Sequence, residues 1–449
     1  MFEDKRFDFA INDKFVERYV KDPGVTDHAL ALRRFTFDTL GDTRATPDSP
    51  KLVSSNLGYI GQILLTIPGW IFTDPPQSRD GYKDVYTDLL PKLPQDAEIV
   101  ILTNESAETE CRQWIDDLGL SARTTIGAAP DTIGFSIWAE DAYCIANDAT
   151  DGEKFFLESV AFTRYDDEHI ADEVVNFTNL DLSMVNLYFQ GGNVLIGDDF
   201  WMIGLDYPNN SFRLGYITQN AGESRMDAIR RAYGTAMDHD RTLHPIGSRL
   251  SVPSETRVPV NFGGEEWNSV VYRGNMEGTT QPLFHIDMFI TPLGRSENGK
   301  PLLMLADPSM AAEILAGVDY IEYAKQFSMV PVFNDIERQL VDLGFDVVRN
   351  PLPSAFAPIE SVKELRWYFA TANNALVQID GDEKDIWLPQ YGFAPFPELS
   401  ATDDRTVEIL ENLGFRTHRL GNFHPFAYGL GAVHCITKYL HRGKLDRTS

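Results

Sequence analysis

The sequence predicts an α/β fold, and two observations carry that prediction. A unit consisting of an amphipathic helix, a Leu-Gly exit and a β-rich run occurs three times. Apolar runs typical of strands fill much of the chain between these units. The intervals between the units are unequal, so the sequence does not indicate a solenoid of fixed period.

The three units share a Leu-Gly sequence at the point where each helix ends. They cover residues 110–126, 335–353 and 404–420. In the second and third units the apolar residues recur with helical spacing on one face. The glycines that follow, Gly119, Gly344 and Gly414, are expected to end their helices in the left-handed conformation that glycine tolerates best.

Strand-like runs are predicted in the following order: 97–104, 135–147, 186–206, 282–294, 301–308, 365–379 and 431–440. Further helices are predicted at 223–237 and from about Ala311 to Gln326.

The chain of 449 residues is expected to form one large domain. Residues 1–50 are polar and mixed, and they are predicted to be an N-terminal lead-in segment. Residues 51–449 contain no low-complexity linker and are predicted to be a single α/β domain.

Charge and cysteine content exclude several classes of function. A formal net charge of −28 leaves no basic face for phosphates, so nucleic acid is not an expected partner. No run of about 18 apolar residues predicts a membrane span, and no secretion signal is evident. Only three cysteines are present, which favours a reducing compartment such as the cytoplasm over a disulfide framework. The acidity fits either solubility in a salty habitat or a cationic substrate.

Cys435 follows His434 in the stretch GLGAVHCITK, residues 429–438. Two glycines before it allow a tight backbone turn. Most buried cysteines are inert small apolar residues, so Cys435 alone is only a candidate nucleophile.

His285 and Asp287 lie two residues apart in FHIDMFITPLG, residues 284–294. On a strand both side chains would face the same side, with Phe284, Ile286 and Met288 directed into a core. The pair could ligate a metal, act as a general acid/base beside a substrate-binding carboxylate, or be an ordinary hydrogen-bonded pair on the surface.

Trp138, Glu140 and Asp141 form a third candidate site, in FSIWAEDAY. An indole face beside a carboxylate suits a flat cation. The alternative is a core tryptophan with two exposed acidic residues.

The stretch NLYFQGGN, residues 186–193, resembles the recognition sequence of a protease used to remove purification tags. Its alternating pattern predicts a native strand that leads into a glycine turn. Gly191 and Gly192 would allow close approach of a ligand, or would form a plain turn, and Asn193 is a candidate substrate contact. We expect the folded chain to resist that protease at Gln190.

Taken in order, these motifs resemble the guanidine-modifying enzymes of the arginine deiminase and amidinotransferase (pentein) superfamily. The resemblance covers about residues 135–440. It depends on W-x-x-D, GGN, H-x-D-x-F and G-x-G-x-x-H-C-x-T, of which H-x-D-x-F and H-C-x-T are the specific ones and GGN is weak. The C-terminal motif is similar to agmatine deiminases, and the region after His285 is similar to peptidylarginine deiminases.

The resemblance implies a five-bladed α/β propeller with pseudo-fivefold symmetry. It also implies that Cys435 is the nucleophile, that His285 is the general acid/base, and that Asp141 and Asp287 hold the guanidinium. Trp138, Glu140 and Asn193 are then expected to contact the substrate. The implied reaction is deimination of a guanidino compound to a ureido product and ammonia, with no cofactor or metal.

The substrate is left open among arginine, agmatine and an arginine peptide. Agmatine deiminases typically have Arg where Glu140 precedes Asp141, and the chain is too short for the extra domains of animal peptidylarginine deiminases. Transfer of the amidino group to an amine is the alternative reaction, and a non-catalytic binding module of the same fold is a third option.

The acidic clusters at 166–168 and 198–199 could bind calcium, but surface acidic residues seldom do. Four arginines could each reach a substrate carboxylate: Arg230, Arg231, Arg273 and Arg295. The oligomeric state is not predicted, with a homodimer as one option.

Overall fold

The computed structural model describes residues 47–160 and 166–444. Most of the predicted lead-in segment, 1–46, lies outside the described residues. Helices and strands alternate along the rest of the chain, so the predicted α/β class is confirmed. Within the described ranges, no helix combines the length and apolar character needed to cross a bilayer.

The strands, in chain order, are β1 (Pro50–Leu52), β2 (Ile60–Thr66), β3 (Glu98–Asn104), β4 (Thr124–Ala129), β5 (Tyr143–Asp148), β6 (Lys154–Ser159), β7 (Asp181–Val185), β8 (Val194–Ile196), β9 (Phe200–Gly204), β10 (Thr242–Ile246), β11 (Thr256–Phe262), β12 (Glu265–Val271), β13 (Ile290–Arg295), β14 (Pro301–Asp307), β15 (Asp346–Pro351), β16 (Ser354–Ile359), β17 (Glu364–Phe369), β18 (Leu376–Asp380), β19 (Glu383–Gln390), β20 (Arg416–Asn422) and β21 (Lys438–Arg442). The α-helices are α1 (Trp70–Thr73), α2 (Pro76–Lys92), α3 (Glu108–Asp117), α4 (Ile170–Val174), α5 (Asp206–Arg213), α6 (Arg225–Met237), α7 (Pro308–Ile314), α8 (Asp319–Ala324), α9 (Val330–Asp342), α10 (Ser400–Asn412) and α11 (His424–Tyr428).

Five sheets share one pattern of strand pairing. A middle strand pairs antiparallel with one neighbour and parallel with the other, in the orders β21-β2-β3, β5-β6-β7, β8-β9-β10, β13-β14-β15 and β18-β19-β20. A parallel pair needs a crossover, and each crossover here contains at least one helix. The last strand described, β21, pairs with β2, which brings the two ends of the described chain together.

The three predicted helix–strand units are confirmed as α3–β4, α9–β15 and α10–β20. Gly119, Gly344 and Gly414 follow these helices with φ of 71°, 96° and 83°. An L-residue rarely adopts such values, so glycine is needed at these positions to end the helix and start the strand.

Two predicted strands are wrong where they reach the candidate site. Strand β7 ends at Val185, residues 186–190 are irregular, and Gly191–Asn193 is a 3₁₀ turn. His285 and Asp287 are not on a strand either, because Ile286–Met288 is a 3₁₀ turn and β13 begins only at Ile290. The cause is a side chain that replaces a strand partner, since Asn193 Oδ1 accepts the Ile286 N–H at 3.0 Å.

The runs 135–147 and 431–440 are strands only at their C-terminal ends, β5 and β21. Before β21, the side-chain oxygen of Asn374 accepts the N–H groups of Ala432 and Cys435 at 2.8 and 3.1 Å. These contacts satisfy backbone donors that a strand would direct to a neighbouring strand. The N-terminal parts of these two runs therefore form turns rather than strands.

Candidate active site

Cys435 lies in a tight turn immediately before β21, and its side chain is fully buried. Gly431 is required for this turn, because a Cβ there would collide with the Trp138 indole and lie 3.0 Å from the Cβ of Cys435. The turn therefore packs the indole directly against the backbone that carries the thiol.

Asn374 organises this turn from the loop between β17 and β18. In addition to its two bonds from backbone N–H groups, its Nδ2 donates to Cys435 Sγ at 3.1 Å. A donor aimed at sulfur favours a thiolate over a thiol. Asn374 was not predicted as a site residue, because it lies in a run whose apolar residues indicated only a strand.

His434 provides a second influence on the thiol. Its Nδ1 lies 2.9 Å from Asp287 Oδ2, which is itself 3.5 Å from Cys435 Sγ. Burial opposes a charged imidazole, but the carboxylates of Glu140 and Asp287 outweigh it and raise the pKa of His434 above its ordinary value. The Asp287 carboxylate therefore joins the His434 imidazole and the Cys435 thiol in one chain of polar contacts.

The imidazole of His285 is buried, with neutral oxygen atoms on one side of the ring and a carboxylate on the other. Its Nε2 lies 2.8 Å from Gln190 Oε1 and 2.9 Å from the Tyr207 hydroxyl, and its Nδ1 lies 3.5 Å from Asp141 Oδ1. An imidazole between an acceptor oxygen and a carboxylate is fully hydrogen bonded only when both nitrogens carry protons. The ring of His285 therefore has an oxygen atom facing each of its nitrogens.

Gly192 marks the point where three candidate side chains converge. A Cβ built on Gly192 would lie 2.6 Å from His285 Nδ1, 2.8 Å from Asp141 Oδ1 and 3.1 Å from Asp287 Oδ2. Only glycine leaves room for these groups to face one another. The two histidine-motif residues and Asp141, which are far apart in the sequence, thus meet at one place beside Cys435.

Comparison with solved structures identifies the architecture. Agmatine deiminase of Enterococcus faecalis matches with 12% sequence identity and a TM-score of 0.55, over 88% of this chain and 98% of that one. The agmatine deiminase of C. jejuni matches with 11% identity and a TM-score of 0.54, over 87% and 95%. A structural-genomics target assigned as an agmatine deiminase matches with 13% identity and a TM-score of 0.61, over 90% and 99%. The chain has the agmatine deiminase fold. No protein-family model and no curated relative matches it.

Glu140 has a structural partner within this agmatine deiminase fold. Its Oε1 lies 2.7 Å from Lys438 Nζ, and both side chains are buried. Burial raises the pKa of Glu140, against the opposing effect of Lys438. The pair ties the loop that carries Trp138 and Asp141 to the strand that follows Cys435.

Asn193 likewise contacts protein. Its Nδ2 donates to Gly204 O and Gln281 Oε1 at 3.1 and 3.2 Å, and its Oδ1 accepts from Gln281 Nε2 at 2.9 Å as well as from Ile286 N. This amide therefore holds the turn that presents His285 and Asp287.

The acidic clusters are also engaged with protein groups. Asp198 and Asp199 accept hydrogen bonds from Arg295 at 2.6 and 2.8 Å, and Asp167 accepts from Ser136 Oγ at 2.7 Å. Across residues 47–160 and 166–444, no group of three or more His, Cys, Asp or Glu side chains is arranged to hold a metal ion.

Sequence reasoning missed Gln190 and Tyr207 at the His285 ring, and it assigned no role to Lys438. Gln190 directly precedes the glycine turn, but a glutamine beside two glycines is too common to indicate a site. Tyr207 lies in α5, where only the folded chain places it near His285.

Proposed function

We propose that the protein deiminates a guanidino substrate, with Cys435 as the nucleophile. The single observation that supports this most strongly is the convergence of His285, Asp141 and Asp287 on Gly192, beside the Cys435 thiol. A planar guanidinium needs carboxylates at its edge and a nucleophile at its central carbon, and these are the groups present.

In the first half of the proposed reaction, Asp141 and Asp287 hold the guanidinium and Trp138 covers one face. The Cys435 thiolate attacks the central carbon and forms a tetrahedral adduct. His285 donates a proton to one terminal nitrogen, which leaves as ammonia as the C–N bond breaks. The remaining species is a thiouronium joined to Cys435 Sγ.

In the second half, His285 accepts a proton from water, which attacks the thiouronium carbon. The C–S bond then breaks, the hydroxyl proton of the adduct passes to solvent and converts the released ammonia to ammonium, a ureido product leaves, and the thiolate returns. Overall, the guanidinium and one water give a urea group and an ammonium ion. No other reactant is consumed.

Three further residues are assigned supporting positions. Asn374 stabilises the thiolate through Nδ2, and Glu140 and Asn193 act as positioning residues rather than substrate contacts. Because Cys435 is fully buried, a substrate reaches Sγ only when part of the surrounding wall moves.

We further propose that the five similar sheets form a five-bladed propeller with pseudo-fivefold symmetry. The shared strand pattern and the pairing of β21 with β2 support this arrangement. The three cysteines are free, which fits a reducing compartment such as the cytoplasm.

A product screen tests the reaction. The protein is incubated with arginine, agmatine, simple guanidino acids and an arginine peptide, with and without an acceptor amine, and ammonia and ureido groups are measured. Deimination predicts that both appear in equal amounts without an acceptor. Amidino transfer to the amine without ammonia would contradict hydrolysis and support the amidinotransferase alternative.

A further inference from the structure

Arg273 is a buried cation that the proposed chemistry leaves unused. The residue lies just after the end of β12, and it is only 8% exposed. It donates one hydrogen bond, from an Nη to the Tyr428 carbonyl oxygen at 2.9 Å, and its guanidinium lies 4.4 Å from the centre of the Tyr428 ring. In the described part of the chain, no carboxylate lies within ion-pair distance of it.

This arrangement is unfavourable unless an anion completes it. Burial lowers the pKa of Arg273, and the charge of Arg366 lowers it further. Tyr428 and, more weakly, the carboxylate of Glu255 beyond ion-pair distance act in the opposite direction. The neighbouring Arg366 adds positive charge but has its own partner, Glu364, at 2.7 Å. A buried charge that no carboxylate contacts directly is costly, so it indicates a site where a ligand can supply a closer negative charge.

Arg273 lines a narrow cavity that adjoins the candidate active site. Phe284 and Leu430 line the same cavity. The ring of Phe284 lies 4.3 Å from that of His285, and Leu430 immediately precedes the Gly431 turn of Cys435. The cavity of about 20 Å³ accommodates one water-sized group, so a whole carboxylate enters it only when part of the lining moves.

Two hydroxyl-bearing residues, Ser354 and Tyr368, also line this cavity. The remaining N–H groups of Arg273 offer the planar fork that binds carboxylates with two hydrogen bonds. A primary ammonium placed there would instead face a like charge in an apolar pocket.

We propose that Arg273 binds a carboxylate of the substrate, so that the substrate is a guanidino acid such as arginine rather than a guanidino amine such as agmatine. This inference rests on the proposed deimination at Cys435. A free amino acid and the C-terminal arginine of a peptide present the same carboxylate chemistry, and an arginine inside a peptide does not.

The kinetic test compares Arg273→Gln and Arg273→Lys with the wild type on arginine, agmatine, guanidino acids of increasing chain length, and peptides with arginine at the C-terminus or inside. Loss of a charged bidentate contact is expected to raise KM for arginine by about tenfold to a hundredfold. Arg273→Lys should lie between wild type and Arg273→Gln, and the ratio of kcat/KM for arginine to kcat/KM for agmatine should fall in that order. Arg405→Gln, at an exposed arginine paired with Glu408, is the matched control.

Binding isotherms separate this inference from the proposed reaction. Wild type should bind arginine more tightly than agmatine, and Arg273→Gln should remove that difference. Equal binding of the two ligands by wild type, or a preference that survives in Arg273→Gln and Arg273→Lys, would overturn the role of Arg273 whether or not deimination occurs. The carboxylate-dependent preference without ureido product would support Arg273 and contradict the proposed reaction.

Discussion

The Glu140 carboxylate oxygen lies 2.7 Å from the Lys438 ammonium nitrogen, and both side chains are removed from solvent. The two residues flank the candidate site in sequence, since Glu140 precedes Asp141 and Lys438 lies three positions after Cys435. A single buried ion pair thus fixes the substrate-facing loop relative to the nucleophile.

Breaking this pair on one side is expected to destabilise the protein strongly. Lys438→Met leaves the Glu140 charge buried without a partner, which should lower the free energy of unfolding by about 3–5 kcal/mol. The double variant Glu140→Gln with Lys438→Met should recover part of that loss. Denaturant unfolding measures both, with Arg405→Gln as a surface-pair control that changes little. A Lys438→Met variant as stable as wild type would contradict this account.

Gly192→Ala is predicted to abolish activity. The added methyl group would lie within 2.6–3.1 Å of His285, Asp141 and Asp287, so these side chains would have to separate. We expect kcat/KM to fall by at least about a hundredfold, since small displacements of reacting groups have large effects. Gly234→Ala is the matched control, because a Cβ added there would have no atom within 4 Å other than those of its chain neighbours and its own helix backbone. Normal turnover by a folded Gly192→Ala variant would show that the three groups need not converge there.

The buried imidazole of His424 is expected to make the folded protein less stable at acid pH. Its Nδ1 lies 2.9 Å from the Tyr368 hydroxyl, and burial lowers its pKa to about 4. In the unfolded chain the value is about 6.5, so as pH falls from 6.5 to 4 only the unfolded state gains a proton. The stability contributed by neutral His424 is present above about pH 6.5, and about 3 kcal/mol of it is lost as pH falls through 4.

Comparison with a variant isolates this effect. Burial raises the pKa of Asp403 to about 6, so its own contribution changes in the opposite direction over the same range. Wild type and His424→Gln both contain Asp403, so its contribution cancels in the difference between their free energies of unfolding. That difference should decrease steadily from pH 6.5 to 4. A difference independent of pH would contradict the assignment to His424.

The bond after Gln190 is predicted to resist the tag-removing protease in the native protein. The reason differs from the one the sequence suggested, because residues 186–190 are not a strand. Gln190 and Gly191 are buried, and Gln190 Oε1 is bonded to His285. A segment must leave such an environment before a protease can bind it. Gel analysis should show an intact chain when it is folded and cleavage when it is unfolded, whereas rapid cleavage of the folded chain would mean that the segment is accessible.

The parts of the fold that sequence predicts well are those set by local rules. Helical spacing in α9 and α10, and the left-handed glycines after them, depend only on neighbouring residues. Ile286 and Met288 were correctly predicted to enter the core, because their apolar character does not depend on whether the backbone is a strand or a turn.

The parts that sequence predicts poorly depend on partners far along the chain. Asn193 binds the Ile286 amide 93 positions away, and Asn374 binds that of Cys435 61 positions away. An asparagine carries no local indication of such a partner, so alternating apolar runs at these places were interpreted as strands. The pairing of Glu140 with the buried Lys438 likewise follows only from the folded structure.

The covalent step at Cys435 tests the central claim most directly. Wild type is mixed with arginine or agmatine, quenched in acid within the first turnover, and digested for mass spectrometry. The account predicts a peptide containing Cys435 that carries the added thiouronium group, and no such peptide and no ureido product with Cys435→Ala. Ureido product released by Cys435→Ala at the wild-type rate would contradict it.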